Sequence, residues 1–161
     1  MVKNKQAFTL IEVLVSVTII ILFSGMIMAY YNQQTAYKKL AQDADKLVDV
    51  LELAKKKAMA GDLDNYYNTG GCSTGYVGWQ VFFSGSNYFL DLRCAGNTWR
   101  LRNYTLTDTV SINTFPTNNL IIFSPLTGSN NSLQTIKLYE TSLGLSKAVT
   151  ISINYGNISK N

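Results

Sequence analysis

The sequence predicts an α+β protein. One long N-terminal helix, its first half suited to lipid and its second half amphipathic, packs on a C-terminal antiparallel β-sheet head. Three observations predict this. The apolar run from Val13 to Tyr31 carries no charge. Helical periodicity continues past it to about Ala60. From about residue 76 the apolar period changes from 3.6 to 2, the mark of strands with one buried face.

Residues 13–31 would measure about 28 Å as a helix, close to the thickness of a hydrocarbon core. Lys3 and Lys5 precede the run, so the positive-inside rule puts the N-terminus in the cytoplasm and everything after Tyr31 outside. Tyr30 and Tyr31 stand where an aromatic belt belongs. A cleaved secretory signal is the alternative. Against it, the run exceeds an ordinary h-region, and cleavage after Ala29 would need a small residue where Ile27 stands. Glu12 opens the apolar run and has no other acid before Asp43. A carboxylate in hydrocarbon costs roughly 2.5–3.5 kcal/mol, which makes Glu12 a functional candidate. An interfacial acid on an ordinary membrane anchor is the competing reading.

Beyond the span, Leu40, Leu47, Leu51, Ala54 and Ala58 fall on one helical stripe. Asp43, Asp45 and Asp49 read as a solvated face. No proline precedes Pro116, and Gly61 followed by Asp62 is a C-terminal stop. The expectation is one continuous helix over 8–60, about 80 Å long.

The head then occupies 61–161. "YVGWQVFF" and "YFLDLR" flank "SGSN", a hairpin signal centred on Gly85-Ser86. That register sets Phe83 opposite Tyr88, Val81 opposite Leu90 and Trp79 opposite Leu92, with Gln80 and Asp91 on the other face. Further strands are expected over "TWRLRNY", "LIIF" at 120–123, "TIKLYE" at 135–140 and "AVTISI" at 148–153. An antiparallel sheet packed on the leucine stripe buries all these faces at once. The hairpin register brings Cys72 and Cys94 close together at its open end, outside the membrane. A disulfide there would close a loop worth about 3 kcal/mol; two free thiols are the alternative.

Composition excludes more chemistry than it suggests. The chain has no histidine, which removes Ser-His and Cys-His catalysis and the usual zinc spacings. No phosphate loop or dinucleotide fingerprint is present, so the expectation is a protein that is not an enzyme and has no cofactor or metal. Asp62 and Asp64 would suit a helix-end turn better than a calcium site, and Trp79, Phe83 and Tyr88 suit a core. The net charge of +4 is spread along the chain, without the dense basic patch of a dedicated nucleic-acid binder.

The leader and "AFTLIEVLVS" together resemble the N-terminal signal of type IV pilins and pseudopilins. The resemblance implies a leader over 1–7, cut by a prepilin peptidase between Ala7 and Phe8, and methylation of the new amino terminus at Phe8. Glu12 would then be the fifth residue of the mature chain, paired with a neighbouring subunit's Phe8 amine during assembly. One departure is Ala7, where the family almost always has glycine. The rest resembles GspH/FimT-type minor pseudopilins: "LAQDADKLVDVLELAKKKAM" is similar to their post-membrane helix, "CSTGYVGWQVFF" to their Cys-then-Gly-Trp region, and "IIFSPLTGSN" with "VTISINYG" to their closing strands. The implied function is a minor pilin or pseudopilin of a type IV pilus or type II secretion-like filament. Its implied partners are membrane lipid before assembly, then other pilins or pseudopilins, in the bacterial inner membrane and a periplasmic or surface filament. A DNA-uptake or adhesin subunit at a filament tip is the alternative. Its candidate nucleic-acid contacts are Arg93, Arg100, Arg102 and Lys160; for an adhesin, the loop 124–134 and the tyrosine-rich stretch 65–76 would supply contacts. Relatives often have arginine after the last glycine; here Asn157 stands there and only Lys160 follows.

Overall fold

The computed structural model describes residues 9–63, 72, 75–130, 132–143 and 148–161. The chain divides into two compact units, Met1–Thr35 and Ala36–Asn161, and helix α1 runs Leu10–Ala60.

In the first unit α1 is apolar and exposed, from Leu10 to Tyr31, and it is long and apolar enough to cross a membrane. Its serine and threonine hydroxyls are satisfied within the helix. Ser16 donates to the Glu12 carbonyl at 2.7 Å, Thr18 to Val15 at 2.8 Å and Ser24 to Ile20 at 2.7 Å. Such internal pairing lets polar side chains sit in lipid without an orphaned donor.

In the second unit the helix buries the predicted stripe. Leu47, Leu51, Ala54 and Ala58 have no exposed surface, and Leu40, Ala44 and Val50 join them. The helix stops as expected at Gly61, whose φ of 63° is open to a residue without Cβ. Asp62 N–H returns to the Lys57 carbonyl at 3.0 Å and Gly61 N–H to Ala58 at 3.2 Å, the paired bonds of a Schellman motif.

The strands are β1 Tyr76–Ser84, β2 Asn87–Cys94, β3 Thr98–Thr105, β4 Val110–Thr114, β5 Leu120–Phe123, β6 Gln134–Glu140, β7 Val149–Asn154 and β8 Asn157–Lys160. They are antiparallel throughout. The hairpin register is the predicted one, Phe83 with Tyr88, Val81 with Leu90 and Trp79 with Leu92. One finer expectation changes: the strands form two four-stranded sheets, ordered β3-β2-β1-β5 and β4-β6-β7-β8. The second sheet gains β4 and β8, which were not expected. Both are short, and β8 has a single apolar residue, Ile158, so pairing with longer neighbours defines them. Trp79, Val81, Leu90 and Phe123 of one sheet and Val110, Ile136, Leu138, Ile151 and Ile153 of the other share one core with the helix stripe.

Two glycines are obligatory for this packing. A Cβ at Gly78 (φ 145°) would lie 2.2 Å from the Phe123 carbonyl, and one at Gly156 (φ 86°) 2.6 Å from the Gly128 carbonyl. Each lets two backbones approach closely.

Candidate functional site

Thr9 precedes the first turn of α1, and its hydroxyl accepts the Glu12 N–H at 3.3 Å. Thr9-Leu10-Ile11-Glu12 therefore has the T-x-x-E spacing of a capping box, and an acid in the first turn also complements the helix dipole. Sequence reasoning gave Glu12 an assembly role or that of an interfacial acid, and did not read its capping relation to Thr9; the threonine three residues before it was the missed signal. The Glu12 carboxylate has no ion-pair partner among the described residues. Ala7 and Phe8 lie outside the described residues, as do Lys3, Lys5 and Asp64 and most of the tyrosine-rich stretch.

Cys72 and Cys94 are joined as a disulfide with Cα atoms 5.3 Å apart. Around it, Ala95 N–H donates to the Gly75 carbonyl at 2.8 Å, so the open end of the β1–β2 hairpin is tied twice. Trp79 Nε1 donates to the Asp62 carbonyl at 2.7 Å, and Lys57 pairs with the Asp62 carboxylate at 2.7 Å while lying over the Trp79 ring. These contacts fix the end of α1 on β1.

Two of the four candidate cations, Arg93 and Arg100, meet in one network through Gln80 and Asp91. Arg93 donates to Gln80 Oε1 at 3.1 Å, and Gln80 reaches the buried Asp91 at 3.4 Å. Arg100 pairs with Asp91 at 3.3 Å and lies over the Phe89 ring at 3.6 Å. Arg102 is exposed on β3. Lys160 pairs instead with Asp45 on α1.

The acids of α1 correct one expectation. Asp43 is buried, not solvated: its carboxylate accepts the Thr107 N–H at 2.7 Å and pairs with Lys46 at 3.3 Å. Asp45 and Asp49 are exposed, as expected. Glu140, also buried, accepts the Ser142 hydroxyl and the backbone N–H groups of Ser142 at 2.8 Å and Leu143 at 3.2 Å. The Ser142 hydroxyl, most of all, holds its carboxyl below the ordinary 4.5. Burial pushes the Tyr76 and Tyr88 hydroxyls up to about 12, helped by Asp62 and by Asp43 respectively. Both stay protonated at neutral pH and are unsuited to serve as bases.

Residues 2–28 match the prokaryotic N-terminal methylation motif. The chain carries a type IV pilin-like methylation motif. The motif takes in Ala7, Phe8, Glu12 and most of the apolar part of α1, and belongs to chains processed by a prepilin peptidase. The remaining sequence lies outside it, and neither a curated protein nor a solved structure matches the chain.

Proposed function

We propose that the chain is a minor pilin or pseudopilin of the GspH/FimT-like kind, a structural subunit of a type IV pilus or type II secretion-like filament. The methylation motif running directly into an exposed apolar helix carries this reading. The chain spans the inner membrane once, leader in and head out. The prepilin peptidase cuts Ala7–Phe8 and methylates Phe8. Leaving lipid is offset by burial of Leu10–Tyr31 against the helices of neighbouring subunits. Glu12 then meets the Phe8 amine of a neighbour, a pair worth at most a few kcal/mol at an effective dielectric near 20. Its larger effect is on register, because a misaligned helix would bury the carboxylate without a partner. The protein acts without catalysis. A nucleic-acid receptor would need freer cations than Arg93, Arg100 and Lys160, which already have partners within the chain.

Intact mass of the chain recovered from shear-released filaments tests the reading. The expected species begins at N-methylated Phe8; filaments containing only chain that begins at Met1 would overturn it.

A further inference from the structure

Among the described residues the two sheets end in four edge strands, β3, β5, β4 and β8. An open edge offers unpaired backbone groups to any extended chain, and proteins blunt such edges with charge, proline or a break in register. β3 carries Arg100 and Arg102 and a register shift against β2. β4 has a register shift against β6, and β8 carries Lys160. β5 has none of these: it is uncharged and pairs with β1 without a shift.

Three contacts fix which backbone groups of β5 are open. The Phe123 carbonyl faces β1, since it is the group that a Cβ on Gly78 would strike. Leu120 N–H turns the other way, to the Thr117 carbonyl, and so does Ser124 N–H, to the Ser129 carbonyl at 2.9 Å. Alternate residues of an antiparallel strand direct both backbone groups to the same side. Ile122, between Leu120 and Ser124, therefore directs its N–H and C=O away from β1. Neither group has a hydrogen-bond partner among the described residues. Together they are half of the two-bond pair that a further strand would complete.

These groups open into a cleft of about 190 Å³ whose walls include Thr117, Leu120, Ile122, Asn130, Ser132 and Gln134. The cleft is a fork between the sheets. Beyond Ser129 the chain is drawn to the second sheet instead of zipping back along β5. Gln134 pairs with Ile153 of β7, and the buried Asn130 Oδ1 accepts Gly156 N–H at 2.7 Å. The far wall is held by its own hydrogen bonds. Gln134 Oε1 accepts Thr117 N–H at 2.8 Å, its Nε2 donates to the Ser132 hydroxyl, and Asn130 Nδ2 donates to the Ser132 carbonyl. The walls are amides, hydroxyls and aliphatic groups, without a charge.

We propose that this cleft takes an extended, uncharged peptide segment of a partner protein, added to β5 as a strand. Ile122 donates its N–H to a carbonyl of the segment and accepts the N–H of the same residue. Such recognition lies in the main chain. The neutral walls reject a charged side chain, which would lose water and gain no counter-ion. A folded edge strand brings its own sheet with it, and a cleft of this size walled by Asn130 and Gln134 has no room for one. The occupant is therefore a segment outside any sheet. The cleft is made of head residues alone, so it is independent of leader removal.

The test follows amide exchange residue by residue, by NMR of the full chain in detergent. The probe is a peptide of alternating threonine and valine, capped at both ends. In the free chain the Ile122 amide should exchange much faster than those of Ile121 and Phe123, which face β1. Excess peptide should slow it by about tenfold. A slow Ile122 amide in the free chain would overturn the proposal. So would slowing produced by raising the concentration of the chain alone, which would make a second copy the occupant. The same peptide N-methylated at its central residue should have no effect; equal slowing would mean recognition that does not use the main chain, and would overturn the proposal. Ile122→Pro removes only the N–H that faces the cleft. It should abolish binding of fluorescein-labelled peptide while the Ile121 and Phe123 amides stay protected, and undiminished binding would overturn the proposal. If the proline loosens β5, the N-methylated peptide still decides the matter on the unaltered chain.

Discussion

Asp43 joins two distant segments with one carboxylate, holding the Thr107 amide from within α1. Asp43→Ala would strand that buried N–H, and the expected loss of stability is about 1–3 kcal/mol; Asp43→Asn, which keeps an acceptor, should lose less. Denaturant melts of the detergent-solubilised chain measure both. Glu140 gives the head an acid sensitivity of known sign. Its carboxyl is held below the ordinary 4.5 when folded, so its contribution is complete above that value and is lost as pH falls through the folded value. Melts of the wild type and Glu140→Gln between neutral pH and pH 3 should converge toward the acid end. Neither role was legible in the sequence, for different reasons. The partner of Asp43 is 64 positions away, and helical periodicity says only that an acid lies off the apolar stripe. Asp43 lies close enough to that stripe to be covered by the strand connection. The partners of Glu140 are adjacent, but its turn reads like any other polar linker.

At the scale of elements, alternation in a two-faced strand carries register information, which is why the β1–β2 pairing could be read pair by pair. The helix stripe and its glycine stop were legible on the same physical ground, since periodicity of 3.6 and a left-handed terminus are local properties. Division into two sheets is not local. β5 returns to pair with β1 while β4 joins β6, and no residue in "VSINT" announces that choice. The disulfide was legible only because the hairpin register was. Replacing Cys72 and Cys94 together by alanine should cost about 3 kcal/mol on the loop-closure model, read as a lower melting temperature against the oxidised chain. Gly78→Ala should be more disruptive locally, because its Cβ would meet the Phe123 carbonyl at 2.2 Å. Hydrogen exchange should then show β5 amides losing protection before those of β2.

At the scale of the whole molecule, the candidate assembly site was legible as a motif and illegible as a contact, because the partner proposed for Glu12 belongs to another subunit. Glu12→Leu should leave membrane insertion intact and sharply reduce incorporation into filaments, measured by immunoblot of sheared fractions; unchanged incorporation would reduce Glu12 to an interfacial acid with a capping role. The shared core has a further consequence, which concerns time. Leu40, Leu47 and Leu51 are synthesised before Ile151 and Ile153, which belong to the same core. Until β7 has been made, the leucine stripe therefore lacks part of its cover. During that interval it is exposed to chaperones and to proteases, and a chain truncated before β7 should be degraded even though its N-terminal motif is intact.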